Sequence, residues 1–224
     1  MDRDEHMNAS IRPARSSDIP FLVESALAAE KSGGEHAPIA RLFGLDEHTV
    51  RGLITAMFEE EIDGCEFGLS SFLVVDNGVG PEAAVAGWIE GVNENDMLSQ
   101  LLRANLIGFT FPAEAMEHLR ANGPAVSALA IPRQRGALQI EYVHVAPTAR
   151  GKGYAKALIQ QHLEAAIQQR VELAQVQVFA HNVTAIALYT KLGFQHTGTF
   201  VTDHPNAPNL LPHTEKWLME RVLH

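Results

Sequence analysis

Two glycines between an apolar strand pattern and a helix start constrain the fold of this chain more than any other feature. Residues 143–155 read Val-His-Val-Ala-Pro-Thr-Ala-Arg-Gly-Lys-Gly-Tyr-Ala. Gly151 and Gly153 lack Cβ atoms where the chain must turn tightly, so successive backbone N–H groups can converge at the positive end of the helix that follows. This arrangement predicts an anion-binding turn, to which Arg150 and Lys152 add positive charge.

Length, charge and cysteine content restrict the class of protein. With 224 residues, of which 46% are hydrophobic and 20% charged, the chain is long enough to bury one core, and we expect a single domain over residues 1–224. The formal net charge of −10 argues against nucleic acid as a partner. Cys65 is the only cysteine, and the 11 histidines show no close ligand spacing. We therefore expect no disulfide and no metal site.

The charged start of the chain, Met-Asp-Arg-Asp-Glu-His, does not resemble a secretion signal. No run of about 18 consecutive apolar residues predicts a membrane span. Together with the lone cysteine, these features favour the cytoplasm.

Hydrophobic periodicity and turn residues predict both strands and helices. Apolar runs bounded by turn residues predict strands at 10–14, 71–76, 83–92, 138–145, 174–180, 194–201 and 214–221. Apolar positions at helical spacing predict helices after a cap at Ser17 or Asp18, at about 46–61, at 153–169 and at 184–192. Residues 77–81 have the composition of a hairpin turn, and 31–38 that of a breaker-rich loop.

Residues 93–136 do not fit this pattern and are interpreted as an insertion. Segments 97–107 and 112–121 have helical character, whereas 125–131 fits either a strand or irregular chain. About 45 residues exceed the usual length of a structureless connection. The insertion either shapes the acceptor site as a lid or packs against the body or a second copy in a homodimer, and the sequence leaves both readings open.

From residue 138 onward the chain resembles the GNAT superfamily of N-acetyltransferases, which bind acetyl-CoA. The family signature Gln/Arg-x-x-Gly-x-Gly/Ala is matched by Arg150-Gly151-Lys152-Gly153-Tyr154-Ala155, after a strand that ends Val143-x-Val145-x-Pro147. A second run, Asn-Val-Thr-Ala-Ile-Ala-Leu-Tyr-Thr-Lys-Leu-Gly-Phe over 182–194, is similar to the family's Asn-x-x-Ala-x-x-Leu-Tyr-x-Lys-x-Gly-Phe segment.

The resemblance implies an α/β (α+β) GNAT-like acyl-CoA N-acyltransferase fold. In it, a mixed, mostly antiparallel central sheet is flanked by helices and opens between the strands near 138–145 and 174–180.

The resemblance also implies which residues hold acetyl-CoA. Backbone groups of Val143 and Val145 would pair with the pantetheine arm as an added strand would. Asn182 would contact the cofactor, cap the helix that follows, or do both. Backbone N–H groups of the turn would hold the pyrophosphate, namely those of Arg150, Gly151, Lys152, Gly153, Tyr154 and Ala155.

Two side chains are candidates for proton transfer. Glu141 stands at a position where several family members carry a catalytic glutamate, and strand alternation predicts that it shares a face with Val143 and Val145. It would take the proton of the attacking amine, directly or through water, or only orient the substrate. Tyr189 matches a tyrosine that many members place near the CoA sulfur, where it would protonate the leaving thiolate; otherwise it packs in the core.

The remaining candidates and phosphate-binding motifs are weaker. His144 is expected on the opposite face as a packed or hydrogen-bonded histidine, and Cys65 as a buried thiol. The sequence lacks the third glycine and the acidic residue that a Rossmann dinucleotide site requires. It also lacks the Gly-x4-Gly-Lys-Ser/Thr loop of nucleoside-triphosphate sites.

The sequence therefore predicts an enzyme that moves an acetyl group from acetyl-CoA to a primary amine of a small molecule or protein. Transfer would occur by direct attack in a ternary complex. A non-catalytic acyl-CoA-binding or sensing domain, and an interaction module that binds no CoA, are the alternatives.

Overall fold

The computed structural model describes residues 9–224, so the charged start of the chain lies outside the described residues. One seven-stranded sheet has the order β1-β2-β3-β4-β5-β7-β6. Neighbouring strands are antiparallel except for the parallel pair β4 and β5, which confirms the predicted mixed sheet. The strands are β1 (Ser10–Pro13), β2 (Phe72–Asp76), β3 (Pro81–Ile89), β4 (Leu138–Val145), β5 (Leu173–Phe179), β6 (Gln195–Val201) and β7 (Glu215–Val222).

Helices cover both faces of this sheet. They are α1 (Ile19–Lys31), α2 (Pro38–Phe43), α3 (Glu47–Glu59), α4 (Ser99–Thr110), α5 (Ala113–Val126), α6 (Tyr154–Gln168), α7 (Val183–Lys191) and α8 (Ala207–Leu210). The sequence did not predict α2. Pro38 occupies its first turn, where a missing N–H costs nothing, and Gly44 ends it with φ of 65°.

Two hydrophobic cores lie on opposite faces of the sheet. On one face, α1 to α4 bury Phe58 among aromatic neighbours, with ring centroids 5.8 Å from Phe67 and 5.6 Å from Phe72. On the other face, α6 and α7 cover a core that includes Ile140 of β4 and Val176 of β5. The buried apolar side chains of β5, Ala174, Val176 and Val178, all face this second core, whereas β4 also contributes Tyr142 to the first.

The insertion consists of two helices. Helix α4 buries Leu102 and Leu106 against the body, and α5 packs beside α2. Residues 125–131 form the end of α5, a short 3-10 turn at Ser127–Leu129 and irregular chain, so the irregular alternative is correct for this segment and the strand alternative is wrong.

A β-bulge in β4 changes which side chains share a face. His144 pairs with Ala84, but Glu141 pairs with Ala86, so two residues of β4 stand opposite one residue of β3. Tyr142 takes up the extra length with φ of 48°. Consequently Glu141 and Tyr142 both face the α1 to α3 layer.

The strand alternation that predicted Glu141 on the face of Val143 and Val145 is therefore wrong. The two valines pack against the core under α6, whereas Tyr142 belongs to the opposite core. His144 lies on the α1 side beside Phe21, as expected.

The sheet opens after the third residue of β4. Residues 138–140 pair with 174–176 of β5, whereas 141–145 make no pairs with β5. The rest of β5, residues 177–179, pairs with β7. This confirms the predicted opening and leaves backbone N–H and C=O groups of β4 facing a gap.

One close approach between the sheet and α6 yields a stability prediction. A Cβ on Gly87 would lie 2.5 Å from His162 Nδ1, and His162 is fixed because its Nε2 donates to the Val85 carbonyl at 3.1 Å. Gly87→Ala should therefore lower the free energy of unfolding by about 1–3 kcal/mol. Gly52→Ala, at an exposed site in α3 with no atom within 4 Å of the added Cβ, should raise it by about 0.5–1 kcal/mol.

Urea unfolding monitored by circular dichroism measures both changes. A midpoint for Gly87→Ala equal to or above that of the unsubstituted protein would show that α6 does not pack as closely as described.

Candidate functional site

The opening between β4 and β5 leads into a large cleft. Its volume is about 1270 Å³, and α1, the two insertion helices, and the starts of α6 and α7 contribute to its walls. The cleft brings together the predicted site residues Glu141, Val143, Val145, Arg150, Gly151, Gly153, Tyr154, Ala155, Asn182 and Tyr189. Lys152 is not part of the lining; its Nζ lies 3.4 Å from Glu82 and 5.5 Å from the centre of the Tyr154 ring.

The glycine turn is shaped to accept an anion at the start of α6. Gly151 and Gly153 both have φ of 80°, and neither has an atom within 4 Å of the position that a Cβ would occupy. Gly153 is the N-cap of α6, so the first N–H groups of the helix have no partner within the helix. Open space beside these N–H groups suits the pyrophosphate of a nucleotide cofactor.

Asn182 caps α7 at the opposite wall of the cleft. Its Oδ1 accepts from the Ala185 N–H at 3.2 Å, and its Nδ2 donates to Ser32 Oγ at 3.1 Å. His181 Nε2 lies 2.9 Å from the Ser32 carbonyl oxygen. The end of α1 is thereby tied to the start of α7. The capping role is thus observed, while the cofactor contact remains a prediction.

Glu141 is held by an arginine that sequence reasoning missed. Arg133 Nη2 donates to Glu141 Oε1 at 2.5 Å, and Arg133 Nη1 donates to Ser99 Oγ at 2.7 Å. Ser99 in turn donates to the buried carboxylate of Glu90 through Oγ at 2.6 Å and through its N–H at 2.8 Å. The insertion supplies both Ser99 and Arg133. It therefore reaches the cleft through hydrogen bonds as well as through apolar packing.

A second buried carboxylate lies behind this pair. Glu66 Oε1 is 3.4 Å from Arg133 Nη2 and 3.2 Å from Arg103 Nη1, and its side chain is fully buried. Burial raises the pKa of Glu66, but the two guanidinium charges outweigh this effect and hold the pKa below its usual value. Arg133 also lies over the Trp88 ring at 5.0 Å. Nothing in the local sequence around residues 66, 103 and 133 signals this cluster, because its members are distant in the chain.

Tyr189 stands on α7 with its ring packed edge-on against Phe194 at 6.0 Å. Its hydroxyl makes no hydrogen bond to another residue in the described part of the chain, and the side chain lines the cleft. Burial, with a smaller contribution from the charge of Glu141, raises the pKa of Tyr189 well above its usual value. The phenol therefore keeps its proton at neutral pH, as a proton donor must.

Other candidate groups fit structural roles. Burial raises the pKa of Cys65 to about 12, so the fully buried thiol is not a nucleophile at neutral pH. Burial and the nearby Arg150 lower the pKa of His144. Residues 9–224 contain no group of three or more His, Cys, Asp or Glu side chains that could hold a metal ion. Within the same residues, no helix is both long and apolar enough to cross a membrane.

Solved structures share this fold. An N-acetyltransferase from Staphylococcus aureus is 18% identical, with a TM-score of 0.67 over 95% of this chain and 100% of its own. An agmatine N-acetyltransferase is 15% identical, with a TM-score of 0.57 over 96% and 99%. A ribosomal-protein-alanine N-acetyltransferase from Brucella melitensis is 16% identical, with a TM-score of 0.52 over 96% and 99%. At these identities the similarity shows the fold alone.

Sequence comparison identifies the family. A search of curated proteins found no match. A model of the acetyltransferase (GNAT) family matches residues 57–194, which include the glycine turn, Glu141 and Tyr189. Because this match covers more than half of the chain, the protein belongs to the GNAT family of acetyltransferases and is an acyltransferase enzyme.

Proposed function

We propose that this enzyme transfers the acetyl group of acetyl-CoA to a primary amine by direct attack in a ternary complex. The observation that carries the proposal is the cleft at the opening of the sheet. The glycine turn, the carboxylate of Glu141 and the phenol of Tyr189 line this one cleft together. Acetyl-CoA would supply the thioester that the amine attacks.

The cofactor end of the cleft fits acetyl-CoA. Backbone groups of Val143 and Val145 lie on the stretch of β4 that makes no pairs with β5, and the amides of a pantetheine arm can satisfy them as a strand would. The N–H groups of Arg150 through Ala155 would hold the pyrophosphate, with Lys152 contributing charge from outside the lining. Asn182 would contact the cofactor while it caps α7.

Glu141 is suited to receive a proton from the amine. An alkyl ammonium has a pKa of about 10, so a base must assist its deprotonation at neutral pH. Arg133 holds Oε1 of Glu141, whereas Oε2 accepts no hydrogen bond from any described residue. The pair thus fixes the orientation of the carboxylate and leaves one oxygen to accept the proton, directly or through a water.

Tyr189 is suited to donate a proton to the departing sulfur. A thiol has a pKa of about 8.5 and a phenol about 10, and burial raises the pKa of Tyr189 further. Its hydroxyl would therefore donate a hydrogen bond to the departing sulfur, and formation of the amide would drive the uphill transfer of the proton. In the balanced step the new C–N bond replaces the C–S bond, Glu141 gains the proton that the amine nitrogen loses, and Tyr189 gives its proton to the sulfur. Exchange with water would then take the proton from Glu141 and return one to Tyr189.

The first test concerns the glycine turn. Gly153→Val should abolish acetyl-CoA binding, because the branched side chain fills the open space beside the N–H groups and strains the backbone. Gly136→Val is the matched control, since Gly136 also has φ of 80° and free space around its Cβ position but does not line the cleft.

Calorimetric titration with acetyl-CoA measures both variants. The control should bind like the unsubstituted protein despite its strained backbone. A folded Gly153→Val protein with unchanged affinity would refute the assignment of the turn.

The second test separates the base from the acid. Glu141→Gln should lower kcat by about 10²- to 10⁴-fold at neutral pH and by less at alkaline pH, where more of the amine is free. Tyr189→Phe should lower kcat while acetyl-CoA affinity stays unchanged. Thiol release from acetyl-CoA with a panel of amines measures the rates.

Unchanged rates in both variants across the pH range would remove these residues from the mechanism. If the unsubstituted protein bound acetyl-CoA but acetylated no amine, a non-catalytic acyl-CoA sensor would replace the proposed enzyme.

A further inference from the structure

The acceptor end of the cleft has a polar floor under apolar walls. Its walls come from α2 and the insertion, through Leu42, Phe43, Ile107, Met116, Leu119 and Leu129. Three lining cations stand at this end, Arg103, Arg133 and Lys216, with the carboxylates of Glu30 and Glu141 beside them. Some of these charged side chains have an oppositely charged neighbour in the protein and one does not. This contrast indicates which charge the acceptor carries.

Each carboxylate in this region already has a hydrogen-bond or ion-pair partner in the protein. Glu141 is held by Arg133, and Glu66, behind the wall, is shared by Arg133 and Arg103. Glu30 accepts from the Ile39 N–H at 3.2 Å and lies 3.9 Å from Arg103. Burial raises the pKa of Glu30, although the charge of Arg103 opposes this effect.

Lys216 is the cation without a carboxylate. No Asp or Glu oxygen of residues 9–224 lies within 4.0 Å of its Nζ, which contacts Gln177 Oε1 at 3.4 Å and lies 5.3 Å above the Phe179 ring. Burial lowers the pKa of Lys216, although the charges of Glu141 and Glu30 oppose this effect. A desolvated ammonium with a weak amide contact gains most from an anion placed beside it.

Arg103 adds a second donor to the same region. Its side chain is 33% exposed, and only Nη1 donates a hydrogen bond to a described residue, Glu66. The remaining guanidinium N–H groups can reach a ligand. A polyamine would instead bring further positive charge toward two cations.

We propose that the acceptor is a primary amine that also carries a carboxylate on an apolar body, as an apolar amino acid does. This inference rests on the proposed function and names the substrate class of the same site. Lys216 binds the carboxylate with the help of Arg103, the walls of α4 and α5 bury the apolar body, and the amine points to Glu141.

Matched pairs of acceptors test the proposal. Leucine and phenylalanine are compared with their carboxamides, which keep the α-amine and the apolar body but lose the anion. Rates are measured over a range of pH and expressed per free amine. The unsubstituted enzyme should favour each acid over its amide by about 10- to 100-fold in kcat/KM, as expected for a charge-assisted hydrogen bond.

Lys216→Met should remove this preference by raising KM for the acids while leaving kcat/KM for the amides within about two-fold. Lys216→Arg should retain part of the preference. Lys191→Met removes the same charge from an exposed position at the end of α7 and should change neither series.

The outcomes separate the two claims. Equal use of acids and amides by the unsubstituted enzyme, or a preference that survives Lys216→Met, would overturn the carboxylate site while acetyl transfer stands. If acetyl-CoA binds but no amine of either series, nor any of a wider amine panel, is acetylated, the proposed function fails and this inference fails with it.

Discussion

The site depends on the point where β4 stops pairing with β5. Up to Ile140 the two parallel strands share a ladder, and beyond it each follows a different neighbour. Backbone N–H and C=O groups that are left without a partner away from water carry a free-energy cost, and a ligand with its own amides can remove that cost. Under the proposed function, the opening would provide both the space for an acyl-CoA and a reason for its pantetheine arm to bind there.

The bulge at Tyr142 and the insertion together determine where the reactive groups stand. Glu141 follows Ile140 in regular alternation and faces the α1 layer, where the insertion places Arg133, and the bulge after it turns Val143 and Val145 to the opposite layer. Arg133 also contacts Ser99 and the buried Glu66, so its removal would leave Arg103 as the cation nearest Glu66 and would remove the partner of Glu141. Loss of one partner from such a buried pair typically costs about 3–5 kcal/mol. The insertion thus supports Glu141 by a hydrogen bond and also forms part of the wall of the cleft.

Local sequence signals predicted the geometry of the glycine turn and the cap of α7. The glycine pair, the strand before it and the capping Asn182 all act through nearby backbone, so their spacing in the chain carries the information. The positions of the strands along the chain followed from apolar runs and turn residues in the same way. Helix α2 was missed because it is short and follows a loop rich in glycine and proline.

The arrangement of side chains around Glu141 could not be predicted from local sequence patterns. The bulge has no residue signature, since Tyr142 adopts a positive φ that bulky side chains rarely take, and alternation across it gave the wrong face for Glu141. Arg133, Glu66, Arg103 and Lys216 lie far apart in sequence and meet only through the packing of the insertion on the sheet. Their roles follow from distances and burial, which no periodicity encodes.

Amide hydrogen exchange with and without acetyl-CoA tests the central claim most directly, because it reports on the backbone that the opening leaves unpaired. On saturation with acetyl-CoA, exchange should slow in residues 141–155, which contain the free stretch of β4 and the glycine turn. Peptides from β1 and β2, which lie away from the opening, should exchange at unchanged rates. Slower exchange elsewhere with no change in residues 141–155 would contradict the account.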